Sequence, residues 1–290
     1  MQRWGIRLAA AVLLVGVGTV EGAITIGGFD VARGGPLSME AGTDLNGIRS
    51  AILAGYPGTV ITGANVLTSE YLSTIDVLFI ASPWNAFNAI EKLTPAEQSA
   101  VLSFVEAGGG ALIFADNDSY DNGALPDSID GGVSEEVNES LIDPFGLDVT
   151  ETINGIQAVT VSDPPSHLVT NGPFGQVSSF STGWPGWFDN LGPYAQSLAT
   201  LNSNNGTALA VIGHGALAPT SGGVVLFSDV NFVANKAAYG SVYGSKSETL
   251  VLNALHFASV PEPSTFLVWS LLATLGITVG RRPRHKVCHL

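Results

Sequence analysis

The sequence predicts a three-layer α/β sandwich with a mostly parallel central sheet. Two short apolar runs, within Asp76–Ala81 and Ala111–Ala115, have the composition of strands buried on both faces. Between them, Thr94-Pro95-Ala96-Glu97 supplies a cap, a proline at the first helical position and a glutamate at the third. That helix runs on through Val101, Leu102 and Val105 and stops at Gly108-Gly109-Gly110. A strand, a helix and a strand at this spacing form a right-handed crossover between parallel neighbours.

The other elements fit the same plan. Ala23–Phe29 is a short opening strand. Asp44–Ala54 is helical, with Thr43 as its cap and apolar residues at Leu45, Ile48, Ile52 and Leu53. Thr59–Thr62 is a second strand and Thr68–Ser73 a helical turn. Beyond Asp116 the chain turns polar and glycine-rich until a weak helix at Ser134–Ile142. Strand-like segments recur at Gln157–Val161, Ala208–Ile212 and Gly223–Ser228. A last helix, Ser247–Phe257, carries Leu250, Val251, Leu255 and Phe257. No internal repeat occurs, so the body reads as one domain over 23–259 with long loops on one edge.

Both ends read as processing signals. Residues 1–22 have a basic start at Arg3 and Arg7, an apolar stretch from Leu8 to Val17, and small residues before Ala23. The stretch is shorter than the roughly 20 apolar residues of a membrane span. At the other end, Pro261-Glu262-Pro263 precedes an apolar segment at 265–280, then Arg281, Arg282, Arg284 and Lys286. Prolines hold an extended strip outside a bilayer, the apolar segment inserts, and the basic cluster stays cytoplasmic. This three-part order over residues 260–290 resembles the PEP-CTERM sorting signal of Gram-negative bacteria. The resemblance implies an exosortase as partner, a membrane-anchored intermediate, and final placement on the outer surface or in the extracellular matrix. A permanent tail anchor is the competing reading.

Charge and cysteine usage narrow the function. The whole chain carries −14, but residues 23–260 hold five basic and 23 acidic residues, which leaves the body at −18. Such a surface repels nucleic acid and anionic lipid, so a nucleic-acid partner is not expected. The only cysteine is Cys288, in the tail, so the body has neither disulfide nor thiolate chemistry.

The order of the strand at Asp76–Ala81, Leu93-Thr94-Pro95-Ala96-Glu97, Gly108-Gly109-Gly110-Ala111-Leu112-Ile113, Gly223–Asp229 and the closing Asn253-Ala254-Leu255 helix resembles class I glutamine amidotransferase-like domains. These include trehalose-utilisation-type relatives, and the resemblance implies a flavodoxin-like sheet. Catalytic members place a cysteine after a central strand. Here that place holds Asp116-Asn117-Asp118, so the thiol mechanism does not carry over. No Gly-x-Ser-x-Gly serine elbow replaces it.

Two groups remain as candidate sites. Asp116, Asp118 and Asp121 follow one strand, and Asp229 and Asn231 follow another. Ligands gather outside the carboxyl ends of strands in open α/β sheets, and oxygen-rich loops suit Ca²⁺. The alternative is that these residues cap turns and solvate loops. Trp184 and Trp187 could stack on sugars or anchor a loop, and His214 follows an apolar strand as a further ligand candidate. Function therefore divides between a non-enzymatic surface protein associated with exopolysaccharide and a secreted hydrolase or carbohydrate-binding protein using the acidic loops.

Overall fold

A computed structural model describes residues 23–81, 92–117, 132–150, 153–162, 166–235 and 242–259. The signal-peptide reading of 1–22 and the sorting-tail reading of 260–290, with its apolar segment at 265–280, lie outside the described residues, as do Asp118 and Asp121. Among the described residues no helix is long and apolar enough to cross a membrane.

The chain opens with β1 (Thr25–Phe29), a one-turn α1 (Val31–Gly34) and a 3-10 turn over Gly35–Leu37. Next come α2 (Asn46–Gly55), β2 (Val60–Ala64), α3 (Ser69–Leu72), β3 (Val77–Ala81), α4 (Pro95–Glu106) and β4 (Gly110–Phe114). After α5 (Gly132–Ile142) a run of strands follows: β5 (Asp148–Thr150), β6 (Ile156–Val161), β7 (Asn171–Gly172), β8 (Gly175–Gln176) and β9 (Ser179–Gly183). The run ends with β10 (Trp187–Asn190), β11 (Ala195–Leu201), β12 (Thr207–Ile212) and β13 (Val224–Phe227), before the closing α6 (Ser245–Ser259).

Five strands, in the order β2-β1-β3-β4-β13, pair in parallel and form the expected central sheet. Their alternation sorts the two cores. Val77, Phe79 and Ala81 face α2 and α6, whereas Leu78 and Ile80 face the side covered by α3, α4 and α5. Phe79, Phe114 and Phe227 form a row beneath α6, with ring centroids 4.8 and 4.7 Å apart. Helices on both faces and buried strands between them give the three layers.

The edge expected to carry long loops is instead a continuation of the sheet. β12, β11, β6 and β9 follow β13 in antiparallel pairing, and β10 bridges β12 to β5. β9 (Ser-Phe-Ser-Thr-Gly) and β11 (Ala-Gln-Ser-Leu-Ala-Thr-Leu) are rich in small and polar residues, so they lack the apolar signal of the parallel strands. Thr43 is a second correction. Its hydroxyl donates to the carbonyls of Ser38 and Glu40, closing a turn, and α2 begins three residues later at Asn46.

The capping box at Thr94 forms as the sequence indicates: Thr94 Oγ1 accepts from Glu97 N–H, and Glu97 Oε2 accepts from Thr94 N–H at 3.0 Å. Glu97 also pairs with Arg33, and both side chains are buried. Arg33 Nη1 donates to Glu97 Oε1 and, at 3.0 Å, to the Asn65 carbonyl; Nη2 donates to the Lys92 carbonyl at 3.2 Å. Leu67 N–H donates to Glu97 Oε1 at 3.0 Å. The guanidinium lies 4.6 Å from the Phe29 ring centroid. Burial pushes the Glu97 carboxyl up, but the hydrogen bonds from Arg33, Thr94 and Leu67 and the guanidinium charge outweigh it and hold the group at about 2. One ion pair thus ties the start of α4 to the loops after β1 and β2.

Packing of α6 on β4 depends on Gly110. A Cβ there would stand 2.3 Å from the Ala258 carbonyl oxygen, in backbone that cannot swing aside. Gly110→Ala is expected to lower stability by about 1–3 kcal/mol, the usual penalty of overpacking, read as a fall in the urea midpoint.

Candidate functional site

The carboxyl ends of β4 and β13 carry a polar cluster in an otherwise apolar sheet. Asp116 lies two residues past β4 and Asp229 two past β13, and these strands are parallel neighbours with Phe114 opposite Phe227. The pairing brings the two carboxyls close enough to repel one another. Asp229 is almost wholly buried, while Asp116 is half-buried.

Asp229 is surrounded by donors. Its Oδ2 accepts from the Thr182 hydroxyl and, at 2.8 Å, from Gly183 N–H; its Oδ1 accepts from Asn231 N–H at 2.8 Å. Asn231 Nδ2 donates to the Gly183 carbonyl at 2.8 Å, so the turn after β13 grips the end of β9 at two points. Asp116 Oδ1 accepts from Asn117 N–H at 2.8 Å and from Asn117 Nδ2 at 3.0 Å. The same Nδ2 donates to the Trp184 carbonyl at 2.9 Å. From α5, Asn138 Oδ1 accepts from Asp116 N–H at 2.9 Å, and its Nδ2 donates to the carbonyls of Asp116 and Asn117 at 2.8 and 3.1 Å.

Burial raises the proton affinity of both carboxyls. For Asp116 desolvation leads and the negative charge of Asp229 adds to it, against the two bonds from Asn117. For Asp229 desolvation again raises the value, while Thr182, Gly183 and Asn231 pull it back. The pair therefore holds a proton at a higher pH than free carboxyls do.

Of the residues singled out in the sequence, Asp116, Asp229 and Trp184 come together here. Trp184 has φ +59° and an exposed indole (44%), and its turn is held by the Asn117 bond. Trp187 is half-buried and lies on the backbone of Gly206, where a Cβ would meet its ring at 2.4 Å; it anchors β10. The structure does not bring His214 to this edge. β12 runs antiparallel to β13, so the residue after Ile212 emerges at the opposite end of the sheet. There His214 Nε2 lies 2.6 Å from the Phe257 carbonyl, and its ring packs against Phe257 with centroids 5.1 Å apart.

Among the described residues no group of three His, Cys, Asp or Glu side chains is placed to hold a metal ion. Asp116 and Asp229 alone supply fewer oxygens than the 6–8 that Ca²⁺ takes, and their oxygens already receive N–H and O–H donors. The other two carboxylates of the Ca²⁺ reading, Asp118 and Asp121, lie outside the described residues. Thr182 had no sequence signal beyond being polar, since its role depends on contacts between distant segments.

No protein-family model and no curated protein matches the sequence. Solved structures do match at the level of fold. The mmIFT52 N-terminal domain is 12% identical, covers 83% of this chain and 99% of its own, and has a TM-score of 0.55. A GMP synthase subunit from Thermoplasma acidophilum is 12% identical, with 86% and 98% coverage and a TM-score of 0.50. A ThuA-like protein from Bacteroides uniformis is 14% identical, covering 81% of this chain and 89% of its own, with a TM-score of 0.48. Identities this low show a shared fold alone, and what the chain has in common with the first two is an α/β domain built on a parallel sheet.

Proposed function

We propose that the chain is an exported protein of the bacterial surface or extracellular matrix, sorted by an exosortase through residues 260–290, and that its α/β body is a binding module. The location rests on the order of Pro261-Glu262-Pro263, apolar segment and basic end, together with the signal-like residues 1–22. The observation that carries the binding role is the Asn117 amide, which joins Asp116 to the turn presenting the exposed Trp184 indole. An exposed aromatic face on a turn tied to a carboxyl-bearing loop suits the mixed apolar and hydroxylated surface of a sugar, and an exopolysaccharide is the ligand this reading favours.

A second reading has one observation behind it. Two neighbouring carboxyls with raised proton affinity and unequal donor sets resemble the acid and base of a hydrolase. Binding and turnover are separated by one set of variants. Trp184→Ala is expected to abolish retention of the full chain on host exopolysaccharide, and no sugar release is expected from the parent. Reducing-end release by the parent that Asp116→Asn removes would establish the hydrolase instead. Intact mass of the protein recovered from its host tests sorting: the expected species ends within the Pro-Glu-Pro region, and a released species carrying residues 264–290 would overturn it.

A further inference from the structure

The large sheet ends at β9, whose only strand partner among the described residues is β6. Val161 N–H donates to the Ser178 carbonyl and Trp184 N–H to the Gly155 carbonyl, so Phe180 and Thr182, in step with them, turn their main-chain groups to β6. The main-chain groups of Ser179, Ser181 and Gly183 therefore point outward. Those of Gly183 are taken: Asp229 Oδ2 accepts from its N–H, and Asn231 Nδ2 donates to its carbonyl. Among the described residues, the main-chain N–H and C=O of Ser179 and Ser181 form no hydrogen bond.

This open edge faces a cleft of about 330 Å³ between β9 and the first turn of α6. Ser181 is exposed on its wall, and Phe180 and Phe232, with ring centroids 5.0 Å apart, form an apolar floor. Lys246 also lines it. Its ammonium donates to Ser179 Oγ at 3.1 Å, and among the described residues no carboxylate pairs with it. The acidic neighbour Glu248 accepts instead from the Tyr243 hydroxyl at 2.6 Å. Unpaired main-chain groups give an added strand its affinity, and side-chain pockets beside them give it specificity. A second copy of the chain suits this edge poorly. It would set two bodies of net charge −18 together and bring a lysine to each side of the joint. A short segment carrying its own carboxylate meets the one uncompensated cation here.

We propose that the β9 edge binds an extended peptide segment as an added strand, with an apolar side chain on the Phe180–Phe232 floor and a carboxylate facing Lys246. Fluorescence anisotropy on the full chain tests it. The probes are labelled heptapeptides of alternating valine and threonine around one phenylalanine, with either one glutamate or one lysine, pooled over the spacing between the two. Saturable binding of the glutamate form is expected, about tenfold tighter than the lysine form, the effect of one charge-assisted contact. Lys246→Ala is expected to remove that preference. Ser181→Pro deletes an outward N–H that the fold does not use, on an edge strand where proline is tolerated. Its Tm is expected to stay near that of the parent while peptide binding falls at least tenfold. Methylating the peptide's amide nitrogens at alternate residues is expected to abolish binding in one of the two registers and spare it in the other. The proposal is overturned if neither peptide binds, or if both methylated registers bind as the unmodified peptide does. A parent dimer in light scattering that Ser181→Pro separates would give the edge to a second copy and overturn it equally.

Discussion

Glu97→Ala is expected to cost about 3–5 kcal/mol, because it leaves the Arg33 guanidinium buried and uncompensated. The same change removes the capping box of α4 and the acceptor of Leu67 N–H. In a domain of this size the loss corresponds to a fall in Tm of roughly 10 °C. Glu97→Gln keeps an acceptor and a similar shape, so its cost is expected to be smaller. The pair also sets a response to acid. The folded value of the Glu97 carboxyl is held at about 2, below its ordinary value of 4.5. Its contribution is therefore complete above the ordinary value and is lost as pH falls through the folded one. Urea unfolding of parent and Glu97→Gln from pH 7 down to pH 3 should show the two curves converging. Curves that stay parallel would mean that the ion pair adds nothing to stability.

Opposite outcomes are expected for the two members of the acid pair. Asp229→Ala strips the acceptor from the Thr182 hydroxyl and from the N–H groups of Gly183 and Asn231, all held in buried surroundings. Unsatisfied buried donors cost about 1–3 kcal/mol each, and partial relaxation leaves an expected net loss of about 2–4 kcal/mol. Asp116→Asn keeps the shape and an acceptor for Asn117 while removing a charge. The folded values of both carboxyls are raised, so the pair's favourable contribution is present in acid and is lost as pH rises through those values. Asp116→Asn is therefore expected to match the parent near pH 4 and to exceed it by about 1–2 kcal/mol in mildly alkaline buffer, an effect of about one pKa unit. A variant less stable than the parent at every pH would show that the Asp116 carboxylate is stabilised by its donors more than it is destabilised by Asp229.

These two sites differ in how legible they were. Thr94, Pro95 and Glu97 lie within one helical turn, so the cap could be read from spacing alone. The second role of Glu97 could not, because Arg33 reaches it only when α1 and α4 have packed on the same sheet edge. Asp116 and Asp229 could be placed outside strand ends from sequence, and the parallel pairing of β4 with β13 makes them neighbours. Their partner Thr182 sits at the end of β9, a strand whose serine, threonine and glycine content hides it. Position on the sheet misled in the case of His214: it follows an apolar strand as Asp229 does, but that strand runs the other way.

The late arrival of β13 bears on when this domain can fold. β4 ends at Phe114, and its parallel partner begins only at Val224, after every strand of the antiparallel extension has been made. Pairings so distant in sequence are slow to close, since loop entropy is lost before contacts repay it. A nascent chain stopped anywhere before Val224 has β4 with one edge open and no α6 to cover the Phe79–Phe114 row. The domain thus stays unfinished until its last elements appear.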